Sequence, residues 1–200
     1  GRSDEALSSF QRIDDLVERM GAITRQLKSY ARKGGEAFEP VDLRAALSSA
    51  LVMMEPQLRS RTIRLARNVP RYPVMVYCDR IRLEQIIINL LRNAVDAIRG
   101  TRDPAIEITV SAGSHAFLSV RDNGPGVSDL ENLFEPFFTT KKPGEGTGLG
   151  LAISSGIAAD FGGRLTAHNA SDEGGKGAVF ELELPLLDPG RKTRTGMAAE

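Results

Sequence analysis

The sequence predicts an α/β fold, and two patterns carry the prediction. Runs 105–111 and 116–121 alternate apolar and polar residues around Gly113-Ser114, as two paired strands do when successive side chains face opposite sides. Between Asp79 and about Arg99 runs a long apolar stretch with Ile86-Ile87-Ile88 and Leu90-Leu91. That length suits a helix, and Asp79 suits its N-cap. Composition permits a core of this kind. Of 200 residues, 41% are hydrophobic and 26% charged, ordinary for a globular domain, and no apolar run reaches the roughly 18 residues of a membrane-crossing helix.

The remaining elements follow in chain order. Over residues 5–33, Phe10, Val17, Thr24 and Ala31 recur every seven residues, as do Ile13, Met20 and Leu27, with Leu16, Ile23 and Tyr30 beside them. Three such stripes make a face wider than a two-stranded coiled-coil seam and suit one helix of a bundle. A helix packed on its own domain is the plainer alternative. Arg32-Lys33-Gly34-Gly35-Glu36 reads as a linker. Asp42 then caps a helix with apolar positions Leu43, Ala46, Leu47, Ala50, Leu51 and Met54. Short strands are expected at 63–66 and 74–77, set off by Pro70 and Pro73. Residues 122–148 are mostly loop with a short turn near 130–133, and 149–161 form a helix closed by Gly162-Gly163. Strands at 164–168 and 179–184 complete the set, the last stopped by Pro185. The tail 188–200 lacks apolar anchors and reads as disordered.

Charge and rare residues exclude several functions. Lys and Arg number 26, matching 26 Asp and Glu, so nothing global draws the chain to nucleic acid or an anionic membrane. A single cysteine, Cys78, rules out an intrachain disulfide framework and a cysteine-built zinc site, and fits a reducing cytoplasmic setting. Two histidines, His115 and His168, are too few for most histidine-rich metal chemistry. Of 20 glycines, 13 lie between Gly113 and Gly177, where the backbone must turn sharply or approach something closely. The start at Gly1, with no signal peptide, reads as a piece cut from a longer chain.

Four segments can carry chemistry. Asn89 and Asn93 stand four apart on the long helix, one turn after Gln85, and share its face. Amides on an apolar helix need partners, because burying them unpaired costs about 1–3 kcal/mol each. Neighbouring backbone can serve, or an amide oxygen can bind a hard cation such as magnesium beside phosphates. Asp122-Asn123-Gly124-Pro125-Gly126 follows a strand. Alone it is most simply a turn, but its carboxylate can also accept from an adenine amino group and reject guanine. Gly146-Thr147-Gly148-Leu149-Gly150 leads into a helix, where exposed amides suit phosphate oxygens. It is neither a Walker A loop nor a good dinucleotide fingerprint. Between them, Leu133-Phe134-Glu135-Pro136-Phe137-Phe138-Thr139-Thr140-Lys141 suggests a hinged lid docked by its phenylalanines, with Lys141 available to a terminal phosphate. Core aromatics and a solvated lysine are the bland alternatives.

The order and spacing of these four segments closely resemble the catalytic ATP-binding region of sensor histidine kinases. Residues 89–93 resemble the N box, 122–126 the G1 box, 134–138 the F box and 146–150 the G2 box, with 175–185 similar to the closing strand. Arg82-Leu83-Glu84-Gln85 and Pro136-Phe137-Phe138-Thr139-Thr140-Lys141 are most similar to the nitrogen-regulation and C4-dicarboxylate-transport sensors. The resemblance implies a two-layer α/β sandwich, the Bergerat fold, whose mixed sheet has helices on one face, preceded by a long bundle helix. It implies that 1–35 hold the second helix of a dimerisation and phosphotransfer hairpin plus linker, and 36–187 the ATP-binding domain. Asn93 would then be the Mg2+ ligand and Asn89 its neighbour at the phosphates. Asp122 would read adenine, with Gly124 and Gly126 closing beside it. Gly146, Thr147, Gly148, Leu149 and Gly150 would cradle the phosphates, with Thr140 and Lys141 contributing from the lid. Asn89, Asn93 and Lys141 would be the catalytic set. Implied partners are ATP, a response regulator receiver domain and a second copy through the hairpin; a membrane would enter only through upstream segments.

The resemblance implies an ATP-dependent protein-histidine kinase. ATPases of the same fold usually carry glutamate four residues before the magnesium asparagine, as a general base for water. Asn89 stands at that position and takes a proton poorly, which favours transfer to a histidine, a step that depends largely on alignment. A nucleotide-binding regulatory module and a Bergerat-fold ATPase are the alternatives. Two positions depart from the pattern: Asp96 replaces a basic residue, and Ala178 replaces Thr or Ser in the closing strand. Neither histidine has a helical His-Glu context, and both read as structural or surface residues; the resemblance implies an acceptor on a first hairpin helix that this sequence lacks.

Overall fold

The structure is a computed structural model that describes residues 38–59, 63–141, 146–170 and 176–187. The helix expected over 5–33, its linker and the tail expected at 188–200 lie outside the described residues. Two compact units divide the chain: one contains Glu131–Ile153, the other Glu36–Leu130 and the chain from Ser154 onward.

Strand β1 (Glu39–Asp42) leads into helix α1 (Leu43–Arg59), followed by β2 (Arg64–Asn68), β3 (Met75–Cys78) and helix α2 (Arg80–Ala97). The hairpin β4 (Ala105–Ala112) and β5 (His115–Asp122) comes next, then α3 (Gly150–Asp160), β6 (Arg164–Asn169) and β7 (Ala178–Pro185). Five strands form a mixed sheet in the order β2-β4-β5-β7-β6, with β2 parallel to β4 and the other pairs antiparallel. β1 and β3 form a separate antiparallel pair, tied to the end of β7 through Val76 and Leu186.

Register explains which face is buried. Val110, Leu118 and Leu182 lie opposite one another across β4, β5 and β7, as do Ile108, Val120 and Phe180. All six are buried. The alternate positions Glu107, Thr109, Ser119, Glu181 and Glu183 are polar and at least partly exposed, so that face meets water. α2 turns Leu83, Ile86, Ile87, Leu90, Leu91 and Ala94 inward and packs against β5 and α1. Each of these Leu and Ile side chains contributes roughly 1.5–3 kcal/mol relative to exposure. Its start is fixed as expected: the Asp79 carboxylate accepts from the Arg82 amide at 3.1 Å. One turn from it, the Arg82 guanidinium pairs with Asp160 and lies 5.4 Å over the Phe161 ring, which pins the far end of α3 to the start of α2.

Three local differences from expectation have physical reasons. β1 carries little apolar signal of its own, and its pairing with β3 creates it. Pro185 is the last residue of β7, opposite His115, instead of a stop before it. The β6 ladder begins at Arg164 opposite Glu183, so Pro185 meets no β6 neighbour that needs an N–H. His115 therefore opens β5 and lies near Glu183, 3.4 Å from its carboxylate.

Asp42 does more than start a helix. It accepts from the Arg44 amide at 3.1 Å, the Val74 amide at 3.2 Å and the Arg44 guanidinium at 2.7 Å. Arg44 in turn donates to the Arg71 carbonyl at 2.6 Å, closing the segment between β2 and β3. The Arg44 guanidinium holds the Asp42 carboxyl below its usual value despite partial burial. A lowered pKa means that this stabilisation is present above the ordinary carboxylate range and is lost as pH falls through the folded-state value. Asp42→Ala is expected to lower the melting temperature at neutral pH. The gap from the unsubstituted protein should close as the pH is taken below the Asp42 titration; a gap independent of pH would exclude the ionised pair as its cause.

Candidate functional site

The inward row of β5 is Ala116, Leu118, Val120 and Asp122, a period-two pattern that ends in a carboxylate. Geometry therefore buries Asp122, which is only 2% exposed. Burial pushes its pKa up, opposed by hydrogen bonds from the Gly124 and Ala178 amides. Both bonds land on Oδ1, at 2.8 and 3.4 Å. Among the described residues no donor meets Oδ2.

Glycines bring the backbone close around this carboxylate. A Cβ at Gly124 would lie 2.8 Å from the Ala97 carbonyl, so the loop abuts the last turn of α2, one turn beyond Asn93. Gly177 has φ +96°, and a Cβ there would lie 1.8 Å from the Asp122 carbonyl oxygen. Gly126, φ +85°, packs against the Asn169 side chain. Asn169 holds the loop at both ends of one residue, accepting from the Val127 amide at 2.7 Å and donating to its carbonyl at 2.9 Å. Asn123 ties the same loop to β4, accepting from the Ala105 amide at 2.9 Å.

Asn89 and Asn93 lie half-buried on α2, as their spacing requires. Asn89 Nδ2 donates to Ser154 Oγ at 3.0 Å. Glu84 points elsewhere on the helix, pairing with Arg80 at 3.0 Å. Asn89, Asn93, Asp122, Gly124 and Gly126 thus belong to one unit. An amide oxygen is a hard ligand, and no cluster of three or more His, Cys, Asp or Glu suited to a metal occurs among the described residues. This donor set fits a cation whose other ligands are phosphate oxygens and water, and does not fit an all-protein cage.

The other unit brings Gly146, Gly148, Thr139 and Lys141 together. A Cβ at Gly146 would lie 3.0 Å from Thr139 Oγ1 and 3.1 Å from Lys141 Cδ. The Phe137 amide donates to the Gly148 carbonyl at 3.0 Å, and a Cβ at Gly148 would lie 2.4 Å from the Phe137 carbonyl carbon. Thr139 Oγ1 accepts from the Lys141 amide at 3.2 Å. Leu149 is buried, Thr147, Gly150 and Lys141 are half-buried, and Thr140 is exposed. The expectation that all the phenylalanines dock is corrected at Phe137, which is 67% exposed with φ +70°; its backbone is held by the Gly148 bond, which turns the ring outward. Phe134 and Phe138 are half-buried.

Sequence reasoning missed Ser154 and Asn169. Ser154 carried a signal, a polar residue on the stripe of Ile153, Ile157, Ala158 and Phe161 that α3 and its end bury. Asn169 carried none, because its role arises only where the end of β6 meets the loop after β5.

The family model described as "Histidine kinase-, DNA gyrase B-, and HSP90-like ATPase" matches residues 78–188. The C4-dicarboxylate transport sensor protein DctB of Pseudomonas aeruginosa is 41% identical over 193 residues, covering 94% of this chain and 31% of that protein. The chain thus spans about a third of the length of this curated relative. A nucleotide-free catalytic domain of the histidine kinase ThkA superposes with a TM-score of 0.65 at 32% identity, covering 74% of this chain and 95% of that one. ThkA solved in complex with the response regulator protein TrrA gives a TM-score of 0.71 at 27% identity, covering 90% and 51%.

Proposed function

Since the chain belongs to the histidine kinase-, DNA gyrase B- and HSP90-like ATPase family and has the fold of histidine kinase catalytic domains, we propose that it is the Mg-ATP-binding catalytic region of a two-component sensor kinase. It transfers the γ-phosphoryl group to a histidine on a hairpin helix outside this sequence. The observation that carries this reading is Asp122, buried at the end of an apolar row with Oδ1 engaged by two backbone amides and Oδ2 left over. Oδ2 accepts from the adenine amino group. The closely packed glycines at 124, 126 and 177 bring the backbone to the edge of the base.

Asn93 would hold Mg2+ through its amide oxygen, with Asn89 beside it at the phosphates, and the ion would supply neutralisation of phosphate charge. The amides of residues 146–150 and the Thr140–Lys141 pair bind phosphate oxygens. In the transfer itself, a histidine nitrogen lone pair forms the new N–P bond as the P–O bond to the β-phosphate breaks, and ADP leaves with that electron pair. No general base for water stands at position 89, and Glu84 is engaged by Arg80, so hydrolysis is slow beside transfer. The response regulator partner rests on the ThkA–TrrA complex; dimerisation belongs to the hairpin. No helix among the described residues is long and apolar enough to cross a membrane, and the reaction is assigned to the cytoplasm, where ATP is available.

The test mixes the chain with γ-labelled ATP, Mg2+ and a separate acceptor-hairpin protein. Label is expected on histidine of the acceptor, and Asn93→Ala should abolish it. ATP binding with no transfer would favour a regulatory module, and rapid multiple-turnover hydrolysis by the chain alone would make it an ATPase.

A further inference from the structure

Ser154 is 1% exposed and, with Asp122, one of two polar residues among the buried side chains described. It lies on the buried stripe of α3, where a hydroxyl without a partner would carry a desolvation penalty of about 1–3 kcal/mol. Its partner is the Asn89 amide, 65 residues away, whose Nδ2 donates to Ser154 Oγ at 3.0 Å. A carboxamide is planar and has two unlike ends. With Nδ2 engaged by α3, Oδ1 is the end turned away from that helix, and among the described residues no donor is bonded to it. The bond as it stands keeps the NH2 group of Asn89, which repels a cation, on α3 and leaves the oxygen, which attracts one, as the end presented.

We propose that Ser154 is a positioning residue that locks the Asn89 amide with its oxygen presented to the magnesium–phosphate group. The proposal rests on the Mg-ATP reading above. A serine that merely fills space would be replaceable by any residue of similar volume. A positioning serine is replaceable only by another hydroxyl. Thr and Val each add bulk at this site and differ chiefly in that hydroxyl, so Ser154→Thr and Ser154→Val impose a similar packing burden.

Two measurements test it. In the nucleotide-free protein, the NMR side-chain amide protons of Asn89 should be shifted and slow to exchange with solvent. They should stay so in Ser154→Thr and become fast in Ser154→Val. In titrations of ATP at increasing Mg2+, the gain in affinity that Mg2+ confers should fall about 10-fold in Ser154→Val and stay within about 2-fold in Ser154→Thr, the loss being that of one orienting hydrogen bond. Asn89→Ala should show the same loss, and adding Ser154→Val to it should cost nothing further, because the pair acts as a unit. Equal behaviour of the Thr and Val variants, or additive losses with Asn89→Ala, would overturn the positioning role while leaving Mg-ATP binding in place. Failure of the unsubstituted protein to bind Mg-ATP would instead overturn the underlying reading, and this role with it.

Discussion

Asp122→Asn is expected to weaken ATP binding by about 10- to 100-fold, the range for a lost hydrogen bond to a charged group, while leaving the protein as stable as before or more so. The two effects separate because burial raises the Asp122 pKa. The folded protein holds this proton to a higher pH than the unfolded chain. Stability from this group is therefore greatest below its unfolded pKa and declines as pH rises through the folded-state value; at neutral pH the ionised carboxylate is a standing penalty. Asparagine keeps an oxygen for the Gly124 and Ala178 amides and removes the charge. Its NH2 group then faces the adenine amino group, donor against donor, whereas guanine offers an oxygen there. The ratio of ATP to GTP affinity should fall, and the neutral-pH melting temperature should hold or rise. Equal losses for both nucleotides would remove Asp122 as the reader of the base, and a steep fall in melting temperature would show that the carboxylate serves the fold.

Gly177→Ala should be the most disruptive single methyl in this part of the chain. The added carbon would stand 1.8 Å from the Asp122 carbonyl oxygen, 2.6 Å from its carbon and 2.9 Å from Asn123 Cα, all backbone atoms that no rotamer change can move. The φ of +96° adds strain for any L side chain. Relief requires the end of β5 and the start of β7 to separate, breaking the Ala178–Asp122 bond. A destabilisation of roughly 3 kcal/mol or more in denaturant titrations is expected, at the upper end for single substitutions, with nucleotide binding lost where the protein remains folded. Gly113→Ala is the control: nothing lies within 4 Å of its added carbon and its φ is not in the left-handed region. It should change stability by less than about 0.5 kcal/mol. Similar effects from the two substitutions would refute the close approach at Gly177.

Much of the fold was legible because its signals are local. The apolar row of α2 and the cap at Asp79 are encoded within a few residues, as is the period-two row of β5 that carries Asp122 inward. The site was legible to the same extent, since Asn89 and Asn93 share a helix face by spacing alone. What escaped was made by approach between distant segments. β1 exists because Glu39–Asp42 finds β3 across α1 and β2. Asn169 matters because β6 ends beside Val127. Pro185 is tolerated as the last residue of β7 because β6 begins two residues short of it. The outward ring of Phe137 was hidden for the same reason, since it follows from a backbone bond to Gly148.

Cys78 closes β3, fully buried, and burial pushes its thiol up to about 12. The thiolate is the form that attacks disulfides, peroxides and alkylating reagents. At neutral pH it is almost absent here, and the sulfur is out of reach of solvent besides. As the only cysteine in these 200 residues, it leaves the chain without a reactive thiol while folded. Its reaction with a thiol reagent is instead a clock for opening of the β1–β3 pair, running at the rate at which that strand comes free.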